Sequence, residues 1–565
     1  MKCFLHALVF LSFILAAEAQ AGWPIPGAPG NVPMPPPPPV RTMAEWEEVQ
    51  AIVITWDPDY TQILKEVVRH SQAECRVLII TTQPAVLEAF LRSENVPMEN
   101  VGFIEADFNS VWIRDYGPWS VYHNDVDSLM IVDWIYDDTT RTRDDTLSRR
   151  VAQQLGLPIY EATEPPYDWV HAGGNNLQDG MGSLLSSELV LETNPDKAWE
   201  EIEAIAQAFL GISPGRYFTL PTLPYDSIHH LDMHMRFLDE ETLLIGEYPE
   251  GVADGPQIEE NIEYLVNEVP TAFGNPFKVI RILMPPDGNG RYPNNNGDYR
   301  TYTNSIFVNK TILVPTYEER YDTTALRIYR EALPGYNVVG IDCNAIIPAY
   351  GAIHCITKLI GVNDPLWIAH ARLRDTENQT EPYPVEAIIQ HRSGIAQATL
   401  YYRTGADGPY TAVPMALEDA AASLWSAEIP PQPAQTEIQY YIHPVAHSGK
   451  EQVRPMVAPE GYFRFRVKGA ISSNEALNPV ETLKLEIYPN PASELARLCL
   501  ESRNAQSVFI ELANQQGQVV WRATEWLPAG VRELPVPVGR LARGTYLLSV
   551  VGEKERISRA LVLGK

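Results

Sequence analysis

Between residues 44 and 375, short apolar runs alternate with stretches whose apolar residues recur at helical spacing. Residues 51–56, Ala-Ile-Val-Ile-Thr-Trp, predict a strand, and residues 59–71, with Ile63, Val67 and Val68 on one side, an amphipathic helix. Residues 76–81 read as a second strand, and 84–92 as a helix with proline in its first turn. The alternation recurs with strands at 188–192, 243–247 and 305–315, followed by helices at 198–209, 257–266 and 323–333. A further apolar run, 336–341, reads as a buried strand before a loop at 344–352. Strand–helix–strand units repeated this often predict an α/β domain in a closed or radially repeated arrangement.

The helical period stops after that region. Residues 376–468 carry alternating runs such as 398–403 and 437–442, parted by Gly, Asp and Pro turns. Their number and spacing predict an immunoglobulin-like β-sandwich. A linker at 469–481 leads to residues 482–565, again all-β in pattern. At the other end, Lys2, the apolar run 4–17 and Ala17-Glu18-Ala19 read as a secretory signal peptide over residues 1–19. Residues 20–43 are proline-dominated and predict an extended linker or pro-segment. No other run suggests a transmembrane segment.

At 565 residues, two to four domains are expected. A net charge of −29 argues against a nucleic-acid partner, whose phosphates demand a basic face, and loosely suits a cationic substrate. Beyond the signal peptide only Cys75, Cys343, Cys355 and Cys499 remain, too few for a disulfide framework. A Cys343–Cys355 bridge is the rival to a reactive Cys355.

Four stretches concentrate site chemistry. Cys355 leaves a loop of small residues, a common way to present a thiolate, although most free cysteines are buried and inert. Trp112-Ile113-Arg114-Asp115-Tyr116-Gly117-Pro118-Trp119 pairs Arg with Asp among aromatics; a salt-bridged turn is the plain alternative. In His229-His230-Leu231-Asp232-Met233-His234 an extended backbone would put His230, Asp232 and His234 on one face. They could ligate a metal; without HExxH or CxxC, the favoured reading makes His230 a general acid/base and Asp232 a substrate-facing carboxylate. Gly173-Gly174-Asn175 permits close backbone approach and lacks a phosphate-binding pattern. One Cys, one His and two Asp suit a guanidinium held on two edges.

These four motifs, in this order, resemble the guanidino-group-modifying superfamily, nearest to agmatine deiminases and the bacterial secreted peptidylarginine deiminase of the Porphyromonas type. The resemblance implies a five-bladed pseudosymmetric α/β propeller with the active site on its axis. It implies Cys355 as nucleophile, His230 as proton carrier, Asp115 and Asp232 as guanidinium-binding carboxylates and Asn304 as an active-site asparagine. Deimination would pass through a covalent thiouronium and give citrulline and ammonia. No cofactor or metal is expected; a calcium requirement is not carried over from distant relatives, and a structural calcium site stays open. Arg141 and Arg143, before Asp144-Asp145, resemble a clamp for the carboxylate of a C-terminal arginine, with Trp112 beside the substrate. The acidic residue that agmatine deiminases carry before Gly-Gly is Ala172 here. Residues 487–491, 544–548 and 561–565 resemble the β-sandwich sorting domain of type IX secretion. That implies the secretion machinery as partner and a secreted or surface-attached protein. The expected substrates are peptides or proteins with exposed C-terminal arginine. An exported deiminase of agmatine or another small guanidine is the alternative, and a non-enzymatic surface adhesin the third.

Overall fold

The structure, a computed structural model, describes residues 34–405, 408–468 and most of 483–564. The expected signal peptide and the 469–481 linker lie outside the described residues. The chain divides into two compact units, Met1–Lys468 and Gly469–Lys565.

In the first unit, strand Val49–Thr55 sits between Arg76–Thr81, parallel to it through helix Thr61–Ser71, and Lys358–Gly361, antiparallel. Ala51 to Ile54 have no exposed surface, as expected of a strand covered on both faces. Four more small sheets repeat the arrangement, each an antiparallel pair extended through a helix by a parallel strand. Trp119–His123 and Ser128–Tyr136 take Ile159–Ala162 across helix Leu147–Leu155. Leu177–Gln178 and Leu184–Ser187 take Tyr217–Leu220 across Trp199–Leu210. Met235–Asp239 and Thr242–Glu247 take Lys278–Leu283 across Gly255–Asn267. Ile306–Val308 and Thr311–Thr316 take Asn337–Asp342 across Glu319–Ala332.

Several boundaries differ from the sequence reading. The proline-rich segment was expected to run to residue 43, but Val40–Thr42 is an edge strand paired with Val121–His123. The α/β region was expected to reach residue 375, yet Trp367–Ala369 pairs with Ile388–Gln390 and belongs to the following sheet. The strand expected at 188–192 lies earlier, at Leu184–Ser187, and Leu189–Glu192 is a helical turn. The run 305–315 is a hairpin, because Asn309 adopts φ +50° and turns the chain.

The rest of the first unit is two four-stranded antiparallel sheets around one core, including Val385, Leu400, Ile429, Ile438 and Ile442. Tyr383–Gln390 alternates buried and outward residues along its length, the period of a strand with one covered face. Buried ion pairs dock this sandwich on the α/β region: Arg454 meets Glu240 at 2.7 Å, and Arg372 meets Asp239 at 2.6 Å. Both carboxylates end the strand that leaves the His230–His234 segment. The second unit is a three-stranded and a four-stranded antiparallel sheet sharing an apolar core that includes Leu498, Ile510, Leu548 and Leu561.

Removing one partner of a buried ion pair leaves the other charged and desolvated, at a cost of about 3–5 kcal/mol. Arg454→Ala therefore lowers the denaturation midpoint of the first unit, and the pair Arg454→Met with Glu240→Gln recovers most of it. Equal midpoints for wild type and Arg454→Ala would show that the pair carries no stability.

Candidate active site

Each site residue stands where an element begins or ends. Asp115 lies on the single helical turn Ile113–Tyr116, which Gly117-Pro118 closes. His230 precedes the turn Leu231–Met233, which carries Asp232. Asn304 precedes strand Ile306–Val308, and Cys355 precedes Lys358–Gly361.

The Gly-Gly pair is what lets them meet. A Cβ at Gly173 would stand 1.9 Å from the Arg114 carbonyl oxygen. One at Gly174 would lie 2.7 Å from His230 Nδ1, 3.0 Å from Asp115 Oδ1 and 3.1 Å from Asp232 Oδ2. Three groups thus converge on the face of one glycine. The Gly174 N–H donates to Asp115 Oδ1 at 2.9 Å, and His230 Nδ1 stands 3.6 Å from the same oxygen. Asp232 Oδ2 is 3.6 Å from Cys355 Sγ, while Asp232 Oδ1 is buried without a hydrogen bond. Asn304 Nδ2 donates to Cys355 Sγ at 3.2 Å, and its Oδ1 accepts from the backbone N–H of His354 at 2.9 Å.

The expectation of an extended His230–His234 segment is corrected: a 3-10 turn delivers His230 and Asp232 to one place, and neither ring nitrogen of His234 has a hydrogen-bond partner among the described residues. Cys343 and Cys355 are both free thiols, so the bridge is absent.

Negative charge dominates the electrostatics. Burial pushes the Asp115 carboxyl up to about 6, with Asp232 and Asp137 adding to the push and His230 opposing it. At His230 burial favours the neutral ring, but Asp115, Asp137, Asp232 and Asp226 outweigh it and raise its pKa. Burial, then Asp232 and Asp115, drives the Cys355 thiol well above the ordinary cysteine value, against the Asn304 hydrogen bond. Burial and the two carboxylates therefore favour the thiol of Cys355 over the thiolate its loop position suggests.

Trp112 packs against Gly351, where a Cβ would lie 2.3 Å from its ring and 3.1 Å from Cys355 Cβ. Arg141 is one third exposed, ion-paired with Asp138 at 2.9 Å and bonded to the Tyr136 hydroxyl at 3.0 Å. Tyr136 in turn stands edge-on to Tyr116, the neighbour of Asp115 in the chain. The Arg143 side chain is exposed to solvent and only its backbone is tied down, to Asn109. Asp144 and Asp145 hold the loop itself, accepting from Asn109, Ser110 and Tyr136.

Sequence reasoning missed Glu45 and the role of His354. Glu45 bonds His354, Arg114 and Arg236 at 2.8–3.0 Å. Glu45 stands some seventy residues ahead of Asp115 in an ordinary acidic stretch, and no local pattern marks it.

Residues 41–360 match the family model of the Porphyromonas-type peptidyl-arginine deiminase. Residues 486–564 match the secretion system C-terminal sorting domain, which marks the chain for type IX secretion and the cell surface. A Mycoplasma capricolum protein assigned as an agmatine deiminase is 24% identical over 301 residues, covering 48% of this chain and 80% of that one. A solved Porphyromonas gingivalis protein assigned as an arginine deiminase matches with a TM-score of 0.50 and 21% identity, over 57% of this chain and 98% of that one. The solved agmatine deiminase of Enterococcus faecalis matches with a TM-score of 0.50 and 20% identity, over 57% and 95%. At that identity the structures speak for the fold. Among the described residues no helix is long and apolar enough to cross a membrane. The chain belongs to the Porphyromonas-type peptidyl-arginine deiminase family, within the guanidino-modifying deiminase hydrolases.

Proposed function

We propose that this protein hydrolyses the guanidinium of arginine, preferably a C-terminal arginine of exported or surface peptides, to a ureido group and ammonia. We read the five small sheets as the blades of a pseudosymmetric propeller, and the two-sheet region after it as immunoglobulin-like. The observation that carries the reading is the convergence of Asp115, His230 and Asp232 on Gly174, beside Cys355.

A guanidinium is a stabilised cation and a poor electrophile, so a site must fix it before a nucleophile can attack. Asp115 and the unpartnered Asp232 Oδ1 supply acceptors for its N–H groups. Its positive charge offsets the two carboxylates that hold Cys355 protonated and so favours the thiolate. Cys355 Sγ attacks the central carbon, and His230 gives a proton to the departing ammonia. Water, activated by the now neutral His230, then cleaves the thiouronium and releases the thiol. Arg141 supports the peptide reading as a cation beside the site, whereas the exposed Arg143 takes a secondary part. One observation favours the alternative, a small guanidine such as agmatine. Asp137 adds a mostly buried carboxylate facing His230, where an amine-bearing tail would be welcome.

Ammonia release from agmatine, free arginine, and peptides ending in arginine or its amide tests the reading. Turnover is expected to be highest with the free C-terminal arginine and lost in Cys355→Ala, which keeps its fold. Turnover of agmatine alone would select the alternative.

Arg141→Ala is expected to lower kcat/KM at least tenfold for the free-carboxylate peptide and much less for its amide, a charge-assisted pair being worth about 1.5–3 kcal/mol. Equal losses on the two peptides would remove the clamp.

Because only ionised Asp115 attracts the cation, kcat/KM rises as pH climbs through about 6 and falls below it. A flat profile from pH 5 to 7 would contradict that role.

A further inference from the structure

Beneath the reacting groups lies a buried polar network that the proposed chemistry does not use. Glu45 Oε1 accepts from Arg114 Nη1 at 2.8 Å and faces His354 Nε2 at 2.8 Å; its Oε2 accepts from Arg236 Nη2 at 3.0 Å. His354 Nδ1 faces Asp232 Oδ2 at 2.7 Å. The side chains of Arg114, Arg236, His354 and Asp232 are each at least 96% buried. Burial disfavours charge on Glu45, yet His354, Arg114 and Arg236 hold its carboxyl well below the usual carboxylate range.

Each partner of Glu45 belongs to a catalytic segment. Arg114 adjoins Asp115, His354 adjoins Cys355, and Arg236 follows Asp232 by one turn and strand entry. Arg236 also donates to the Ser305 side chain at 2.5 Å, beside Asn304. Arg114 further ties its segment to the nucleophile's, its backbone N–H donating to the Cys355 carbonyl at 3.1 Å and its Nε to that of His354 at 3.2 Å. One carboxylate thus joins four segments that are distant in sequence.

We propose that Glu45, acting through His354, is a positioning residue for guanidine deimination: it holds Asp232 by Oδ2, the oxygen that also faces Gly174 and Cys355, and so fixes the orientation in which this carboxylate receives the substrate. The proposal rests on the deiminase reading above. One ring nitrogen of His354 lies 2.8 Å from Glu45 and the other 2.7 Å from Asp232, so the imidazole bridges the two carboxylates and ties the orientation of Asp232 to that of Glu45. Freed from the bridge, the Asp232 carboxylate could rotate, binding substrate nearly as well but misplacing it for attack. Misplacement on the ångström scale costs about a hundredfold in rate. The signature is a fall in kcat without a matching rise in KM.

The experiment measures ammonia release by the full-length protein and by Glu45→Gln, His354→Asn and the double variant, with thermal unfolding alongside. Each single variant is expected to lose about tenfold to a hundredfold in kcat, with KM within about threefold. The double variant should lose little more than either, because the two act as one unit. Kinetics within twofold of wild type, a change confined to KM, or additive losses in the double variant would overturn the positioning role. Failure of both single variants to fold would assign the network to stability alone and overturn it too. No ammonia from wild type on any of the four substrates would instead bring down the deiminase reading, and this proposal with it.

Discussion

Two buried carboxylates aimed at one point are the constraint around which this site is built. Asp115 and Asp232 each come within about 3 Å of where a Gly174 side chain would begin, and among the described residues no lysine or arginine side chain pairs with either. Like charges so close in a desolvated place repel strongly. Burial together with this repulsion raises the pKa of Asp115 and of the Cys355 thiol, and attraction to the same carboxylates raises that of His230. A flat cation with N–H groups on its edges relieves all three at once. Under the proposed function, selectivity and activation therefore have one source: the cation that fits is the one that favours the Cys355 thiolate.

The scaffold tolerates this repulsion because each site group is anchored from behind. Backbone bonds fix the Arg114 and Cys355 segments to each other, and Asn304 holds both the thiol and the chain that carries it. The cations of the region, Arg114 and Arg236, face Glu45. Positive charge stabilises the framework without neutralising the pocket.

Much of this was legible in the chain. The strand–helix alternation predicts the repeating units because a covered strand needs a continuous apolar run and its helix a one-sided stripe, and both survive in single sequences. Asp115, His230, Asp232 and Cys355 were visible because polar residues with glycine and proline interrupt otherwise apolar segments. What stayed hidden depends on contacts between distant segments. Gly174 looked like an ordinary turn residue, since only the fold puts His230 against it. Glu45 lies beside Glu47 and Glu48, which pair with Arg41 and Lys450, and nothing local tells the three apart. The short strands Val40–Thr42 and Trp367–Ala369 carry too few residues for a period to be read, and pairing alone defines them.

The strand that follows the nucleophile has a consequence for synthesis. Lys358–Gly361 does not extend the last sheet formed; it returns to pair with Val49–Thr55, the opening strand of the region. A nascent chain that ends before Cys355 lacks both that thiol and the strand that closes the fold around it. Pairing across some three hundred residues is a late and entropically costly event. A ribosome must therefore complete the whole α/β region before Cys355 can meet Asp115 and Asp232, and shorter translation products cannot assemble this cluster.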